Sequence, residues 1–211
     1  RDVTLTRDTI VVKSVQYMAK TTKSGKKIAY LQLTSFGEKT RDEWDAAVSK
    51  SLADAPQAVL VDVRNNPGGF LDGAIYIGSE FIGEDQIVVL QEDAQANKTP
   101  YKVVRAGKMI NLPMVVLINK GSASASEILA GAIADYSRGK LVGEQSFGKG
   151  TIQSAEDLAE NTGIHITTAK WLTPKGRWIH NTGLTPDIII AAGEEQGKDL
   201  QLEKALEILD Q

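Results

Sequence analysis

Apolar residues along this chain switch between two spacings, and the switches mark out its elements. Ala58 to Val63 is a nearly continuous apolar run, as expected of a strand buried on both faces of a parallel sheet. Met114 to Ile118 has the same β-branched character and strand length. Residues 1–36 read as strands, Ile10 to Val12 and Ile28 to Leu33, with Ser24-Gly25 as the turn between them. A helical period follows Thr40, placing Trp44, Ala47, Val48, Ser51 and Leu52 on one face. Glu43, three residues after Thr40, predicts a capping box, and Pro56 marks the helix end.

The same period recurs within Asp72 to Ile82, at Ala74, Ile75, Gly78, Phe81 and Ile82, and again at Ile128, Leu129, Ala132 and Ile133. Leu200 to Leu209 predicts a closing helix. Shorter strands are expected at Ile87 to Leu90 and Tyr101 to Arg105, around a polar loop from Gln91 to Pro100, and at Lys140 to Val142. His165 to Leu172 and Arg177 to His180 read as a strand pair joined near Pro174-Lys175-Gly176, and Ile188 to Ile190 as a last apolar run. Alternating strands and helices over 58–143 predict an α/β fold with a mixed, largely parallel sheet flanked by helices. Such sheets gather ligands at the carboxyl ends of their strands. The loops Arg64 to Gly69 and Asn119 to Ser126 both follow strands there, so both are expected to face one cleft.

Composition narrows the functions. At 211 residues one domain is expected. Lys and Arg number 24 against 27 Asp and Glu, a formal charge of −3 without any basic run, which argues against a nucleic-acid partner. No apolar run approaches the roughly 20 residues of a membrane helix. The sequence opens Arg1-Asp2-Val3 with neither Met nor a signal peptide and reads as a processed or truncated product. With no cysteine, thiol nucleophiles, disulfides and thiolate metal sites are all excluded. His165 and His180 are too few for most histidine metal sites, and each is expected to be a hydrogen-bonded structural residue.

The chemistry concentrates in Met114 to Gln153. Three serines spaced by alanine, Ser122, Ser124 and Ser126, open the helix that carries Ile128, and a glycine-rich loop with one lysine follows at Phe147-Gly148-Lys149-Gly150. A lysine accepts a serine proton only when neutral, which near pH 7 needs its pKa lowered by about three units, within the reach of burial. Glycines on both sides and a phenylalanine beside it suit a dry pocket, and the helix N-terminus favours a developing alkoxide. Two other readings compete. Gly143 to Lys149 fits the phosphate-loop spacing, but Gly150 stands where that motif needs a magnesium-binding hydroxyl. The serines also serve as simple helix caps with a surface lysine. The Ser-x-x-Lys strings at Ser137 and Ser146 lack the companion Lys-Thr-Gly, and G-x-S-x-G is absent. Residue chemistry alone does not choose among the three serines.

Four blocks, Arg64-Asn65-Asn66-Pro67-Gly68-Gly69, Asn119 to Ile128, Gly143-Glu144 with Phe147 to Gly150 and Gln153, and Gly183 to Asp187, occur in one order. Together they resemble the C-terminal processing peptidases, also called tail-specific proteases, over residues 58–190. The resemblance implies a Clp protease/crotonase-like core over 37–211, with residues 1–36 as an N-terminal β segment packing on it. It implies Ser124 as nucleophile, Lys149 as general base and Gln153 orienting that lysine. The oxyanion hole would comprise Ala125 N–H and one N–H from Gly68 or Gly69. It further implies cofactor-free and metal-free cleavage of proteins with exposed C-terminal tails, outside the cytoplasm in periplasm, cell envelope or thylakoid lumen, and leaves oligomerisation open. The family usually carries a PDZ domain just before the segment matching Val3 to Ile10. Thr4 to Asp8 resembles the exit from one, and this sequence includes no such domain. The alternative reading is a catalytically idle core of the same fold that only binds peptides.

Overall fold

A computed structural model describes residues 3, 12–159, 162–195 and 197–211. In chain order the elements of the first half are β1 (Val15–Thr21), β2 (Lys27–Leu33), α1 (Thr40–Ala53), β3 (Ala58–Asp62), α2 (Leu71–Gly78), β4 (Ile87–Glu92) and β5 (Lys98–Lys102). Then come β6 (Met114–Ile118), α3 (Ala125–Asp135), β7 (Lys140–Gly143), β8 (Thr151–Asp157) and β9 (Gly163–Leu172). β10 (Ile188–Ile189), the small pair β11 (Glu194–Glu195) and β12 (Lys198–Asp199), and α4 (Leu200–Leu209) complete them.

The most apolar runs become the centre of a six-stranded sheet ordered β1-β2-β3-β6-β7-β10. β3 and β6 are buried along their whole length and pair in parallel, with Asp62 opposite Leu117. β2 and β7 flank them in parallel, and only β1 runs antiparallel, across the Ser24-Gly25 turn. Side chains alternate between two cores, as the pleat requires. Leu31, Val59, Val61, Val116 and Ile118 pack against Trp44 and Val48 of α1, Ile77 of α2, and Leu129 and Ile133 of α3. Ile28, Leu60, Val115 and Leu117 face the opposite way, onto Ala205 and Leu209 of α4. The expected α/β core, a largely parallel sheet flanked by helices, is the one observed.

Several local expectations are corrected. The strand that pairs with β2 across the Ser24-Gly25 turn is Val15–Thr21; of the expected strand Ile10 to Val12, Ile10 and Val11 lie outside the described residues, as does the Thr4 to Asp8 segment, and Val12 is in no strand. Not every strand of 58–143 joins the main sheet. β4 turns back on β5 through Asp93 to Asn97, where the Asp93 carboxylate accepts from Gln95 N and Asn97 N, and forms a second sheet ordered β5-β4-β9-β8. Half of the expected polar loop Gln91 to Pro100 is therefore hairpin strand. The partner of β9 is β8, not Arg177 to His180, which is irregular because its polar groups bind the loop around Gly150 instead. Thr40 and Glu43 form no capping box: Glu43 accepts from Ser14 N, Ser14 Oγ and Val15 N, tying α1 to the start of β1.

Candidate active site

Both loops expected at the carboxyl ends of β3 and β6 do meet, and Asn66 joins them. This buried side chain donates to Leu33 O and accepts from Gly68 N, while its backbone carbonyl accepts from Ala123 N and Ser126 Oγ. Gly68 and Gly69 have φ of +100° and +140°. A Cβ on Gly68 would lie 2.7 Å from Ala123 O and 2.8 Å from Ser124 Cβ, and one on Gly69 would lie 2.2 Å from Phe36 O. Only glycine lets the two loops come this close.

The contacts separate the three serines. Ser122 is buried and donates to Val63 O at 2.8 Å while accepting from Asn119 N. Ser126 is buried and donates to Asn66 O at 2.9 Å. Ser124 alone lines a cavity of about 430 Å³. Its backbone sits at φ 55°, ψ −116°, a conformation sparsely populated for any residue with a Cβ. The serine thus stands in a strained backbone position at the start of α3, in a sequence that lacks G-x-S-x-G.

Sequence reading gave no role to Glu127, yet it holds this corner together. Fully buried, its Oε2 accepts from Ser124 N at 2.8 Å and Lys149 N at 2.9 Å. Its Oε1 accepts from Ser146 Oγ at 2.5 Å and Gly148 N at 2.7 Å. Ser124 N and Lys149 N are therefore at most 5.7 Å apart, the two bonds laid end to end. The far side of the lysine loop is held by aromatic donors. Trp171 Nε1 binds Lys149 O at 2.8 Å, and Trp178 Nε1 binds Gly150 O at 2.9 Å. Gly150 N donates to His180 Nδ1 at 3.3 Å, with the imidazole stacked on Trp178.

Lys149 is half-buried and shares the cavity with Ser124, and no hydrogen bond joins their side chains among the described residues. Apolar walls come from Phe36, Leu71, Ile128, Ile152 and Trp171. The neighbouring Phe147, expected to help dry the lysine, points outward and is 65% exposed. Gln153 lies on the wall formed by β8 and β9, exposed, just past an irregularity in the β8–β9 register. His165 lines that wall too and is exposed, whereas His180 has the structural hydrogen bond expected of both histidines. Gly68 N is committed to Asn66 Oδ1, while Gly69 N and Ala125 N bind no protein acceptor among the described residues, and both residues line the cavity. Ala125 opens α3, where the helix dipole adds positive potential.

Arg64 points to the other side of the sheet, pairing with Asp62 at 2.7 Å and with Asp199, the N-cap of α4, at 2.8 Å. Burial opposes the charge on Asp199, but the Arg64 hydrogen bond and the amides of Leu202 and Gln201 outweigh it and hold the carboxyl below its ordinary value.

Parallel strands that deliver two glycine- and serine-bearing loops to one cavity, between helices on both faces, define a Clp-like protease core. The chain belongs to peptidase family S41, which matches residues 27–190. It is 39% identical over 193 residues to the "Carboxy-terminal-processing protease" of Bartonella bacilliformis, an alignment covering 90% of this chain and 43% of that protein. Among solved structures, the photosystem II D1 C-terminal processing protease superposes with a TM-score of 0.78 at 29% identity, covering 88% of this chain and 50% of that one. The tricorn protease shares the fold alone, with a TM-score of 0.56 at 20% identity over 86% of this chain and 17% of its own. The chain thus spans about two-fifths of the length of its curated relative.

Proposed function

We propose that this chain is the catalytic core of a serine endopeptidase of the C-terminal processing type, with Ser124 as nucleophile and Lys149 as general base. The observation that carries the reading is the shared anchor: one carboxylate oxygen binds the backbone amides of both residues, and both line one cavity. With the two backbone nitrogens within 5.7 Å of each other, the four-carbon stem of Lys149 has the reach to bring its amine to the hydroxyl.

The chemistry follows from these positions. Neutral Lys149 takes the proton of Ser124 Oγ as that oxygen attacks the scissile carbonyl carbon. The carbonyl oxygen becomes an oxyanion held by the uncommitted amides of Gly69 and Ala125, so Gly69 rather than Gly68 completes the hole. The lysine then gives its proton to the leaving amine, producing an acyl-enzyme. Water, deprotonated by the same lysine, hydrolyses the ester and frees Ser124. To Gln153, which lines the same cavity, we assign the orienting of the Lys149 amine. No step calls for a metal or cofactor.

The substrates are unfolded protein tails, which can thread an open cleft in extended form, and the compartment is extracytoplasmic. The competing reading, an idle peptide-binding core, keeps the cavity but not the turnover. The test is cleavage of an unstructured protein by Ser124→Ala, Lys149→Ala and Lys149→Arg, all confirmed as folded. All three should be inactive, Arg included, because guanidinium stays protonated above pH 12. Wild-type turnover in Ser124→Ala, or in Lys149→Arg, defeats the dyad.

A further inference from the structure

The catalytic set implied by the family resemblance has no place for Glu127. We infer that Glu127 is the positioning residue of this site: its carboxylate fixes the register of nucleophile and base and holds Ser124 in its strained backbone conformation. The inference rests on the Ser124–Lys149 reading.

Three observations carry it. First, the carboxylate is completely buried, with no arginine or lysine side chain bound to it among the described residues, yet it accepts four hydrogen bonds. Removing a charged group from water costs several kcal/mol unless its lone pairs are well satisfied. Here every donor comes from the nucleophile's own residue or from the loop that carries the base. Second, the two oxygens divide the work. Oε1 binds Ser146 Oγ and Gly148 N and fixes the course of the loop, while Oε2 alone bridges Ser124 N to Lys149 N. Third, Ser124 is held at φ 55° from both sides, with Glu127 on its amide and the Gly68 backbone against its Cβ. Strain of this kind persists only where the surroundings over-determine it. The nearby loop hydroxyl contributes as well: Ser146 Oγ donates to Glu127 and accepts from Leu184 N at 2.7 Å, coupling the cluster to the Gly183–Asp187 block.

Glu127→Gln separates this role from simple packing. The amide is isosteric, but turned either way its NH₂ faces at least one backbone N–H, those of Ser124 and Lys149 or that of Gly148. The register between the two reacting residues then slips. A misplacement of about 1 Å costs about 100-fold in rate, so kcat should fall by about that factor while KM for the same protein substrate stays within about threefold, because the cavity walls that bind substrate are untouched.

The experiment measures kcat and KM of Glu127→Gln, with thermal unfolding and circular dichroism recorded on the same samples. A folded variant with kcat reduced per folded molecule and KM preserved supports the positioning role. Wild-type kcat in a folded variant overturns it. So does a loss of activity that only tracks the lost folded fraction. If Glu127→Gln keeps full activity while Ser124→Ala and Lys149→Arg are dead, this inference alone has failed. If those two variants also turn over, the dyad itself has failed.

Discussion

Two helices of this protein open on the same short pattern and put it to opposite uses. Thr40-Arg41-Asp42-Glu43 begins α1, and Ser124-Ala125-Ser126-Glu127 begins α3. Both satisfy the capping-box rule, hydroxyl first and glutamate three residues on. At α1 the box is dismantled. Thr40 Oγ1 accepts from Gly37 N and meets Ser14 Oγ, and Glu43 turns away to the Ser14 and Val15 amides. At α3 the glutamate does fold back onto Ser124 N, and then extends the bond to a loop more than 20 residues further on. One glutamate fastens a sheet edge to a helix, and the other fastens a nucleophile to its base. The four-residue rule describes what a helix start can do, and the tertiary partners decide what it does.

The comparison breaks most sharply on turnover. Glu43→Gln should leave kcat within about twofold, against the loss of about 100-fold expected for Glu127→Gln. Equal losses in the two variants, measured on the same substrate, would erase the distinction between an architectural and a positioning carboxylate.

A stability measurement sharpens it further. Ser124 bears backbone strain and Thr40, inside an ordinary helical turn, bears none. Such strain costs about 1–3 kcal/mol, and glycine relieves it. Ser124→Gly should therefore unfold at higher denaturant than Ser124→Ala, by about 1 kcal/mol after allowing for the extra freedom of glycine in the unfolded chain. Thr40→Gly should be less stable than Thr40→Ala, because Thr40 has ordinary helical backbone in the first turn of α1, where glycine loses more chain entropy than alanine. A Ser124→Gly protein weaker than Ser124→Ala would mean that the turn stores no strain.

The smallest effect is in the acid dependence of α1. Burial works against the charge of Glu43, but hydrogen bonds from Ser14 Oγ, Ser14 N and Val15 N outweigh it and hold the carboxyl below its ordinary range. A group depressed in the folded state contributes stability above its unfolded pKa, and that contribution disappears as pH falls through the folded value. Wild type should lose this contribution on acidification below about pH 4, where a free glutamate protonates. Glu43→Gln should be weaker by about 1 kcal/mol at neutral pH and draw level with wild type in acid. A constant gap across the pH range would remove the ionised carboxylate from the account.

Local pattern carried the main sheet and α3 well, because runs such as Ala58 to Val63 and the repeats at Ile128 and Ile133 are buried for the reason their spacing suggests. It failed where a long-range contact overruled a local rule. Nothing near Ser122 or Ser126 reveals that Val63 O and Asn66 O, about 60 residues earlier, claim their hydroxyls and leave Ser124 facing the cavity. The β8–β9 ribbon was half missed because β8 and the outer part of β9 are largely exposed and show no buried stripe, although Gln153 and His165 on it wall the cavity. Glu127 was legible only as part of a familiar string. Its function depends on donors from a loop that sequence distance separates and folding brings together.

The shared carboxylate has a consequence for motion. The amides of Ser124, Gly148 and Lys149 all end on one side chain, so none can meet solvent unless that cluster opens. In amide hydrogen exchange the three should open with a single free energy and behave as one local cooperative unit. The site would then be lost and regained whole, passing through no populated form in which the serine is in place and the lysine is not.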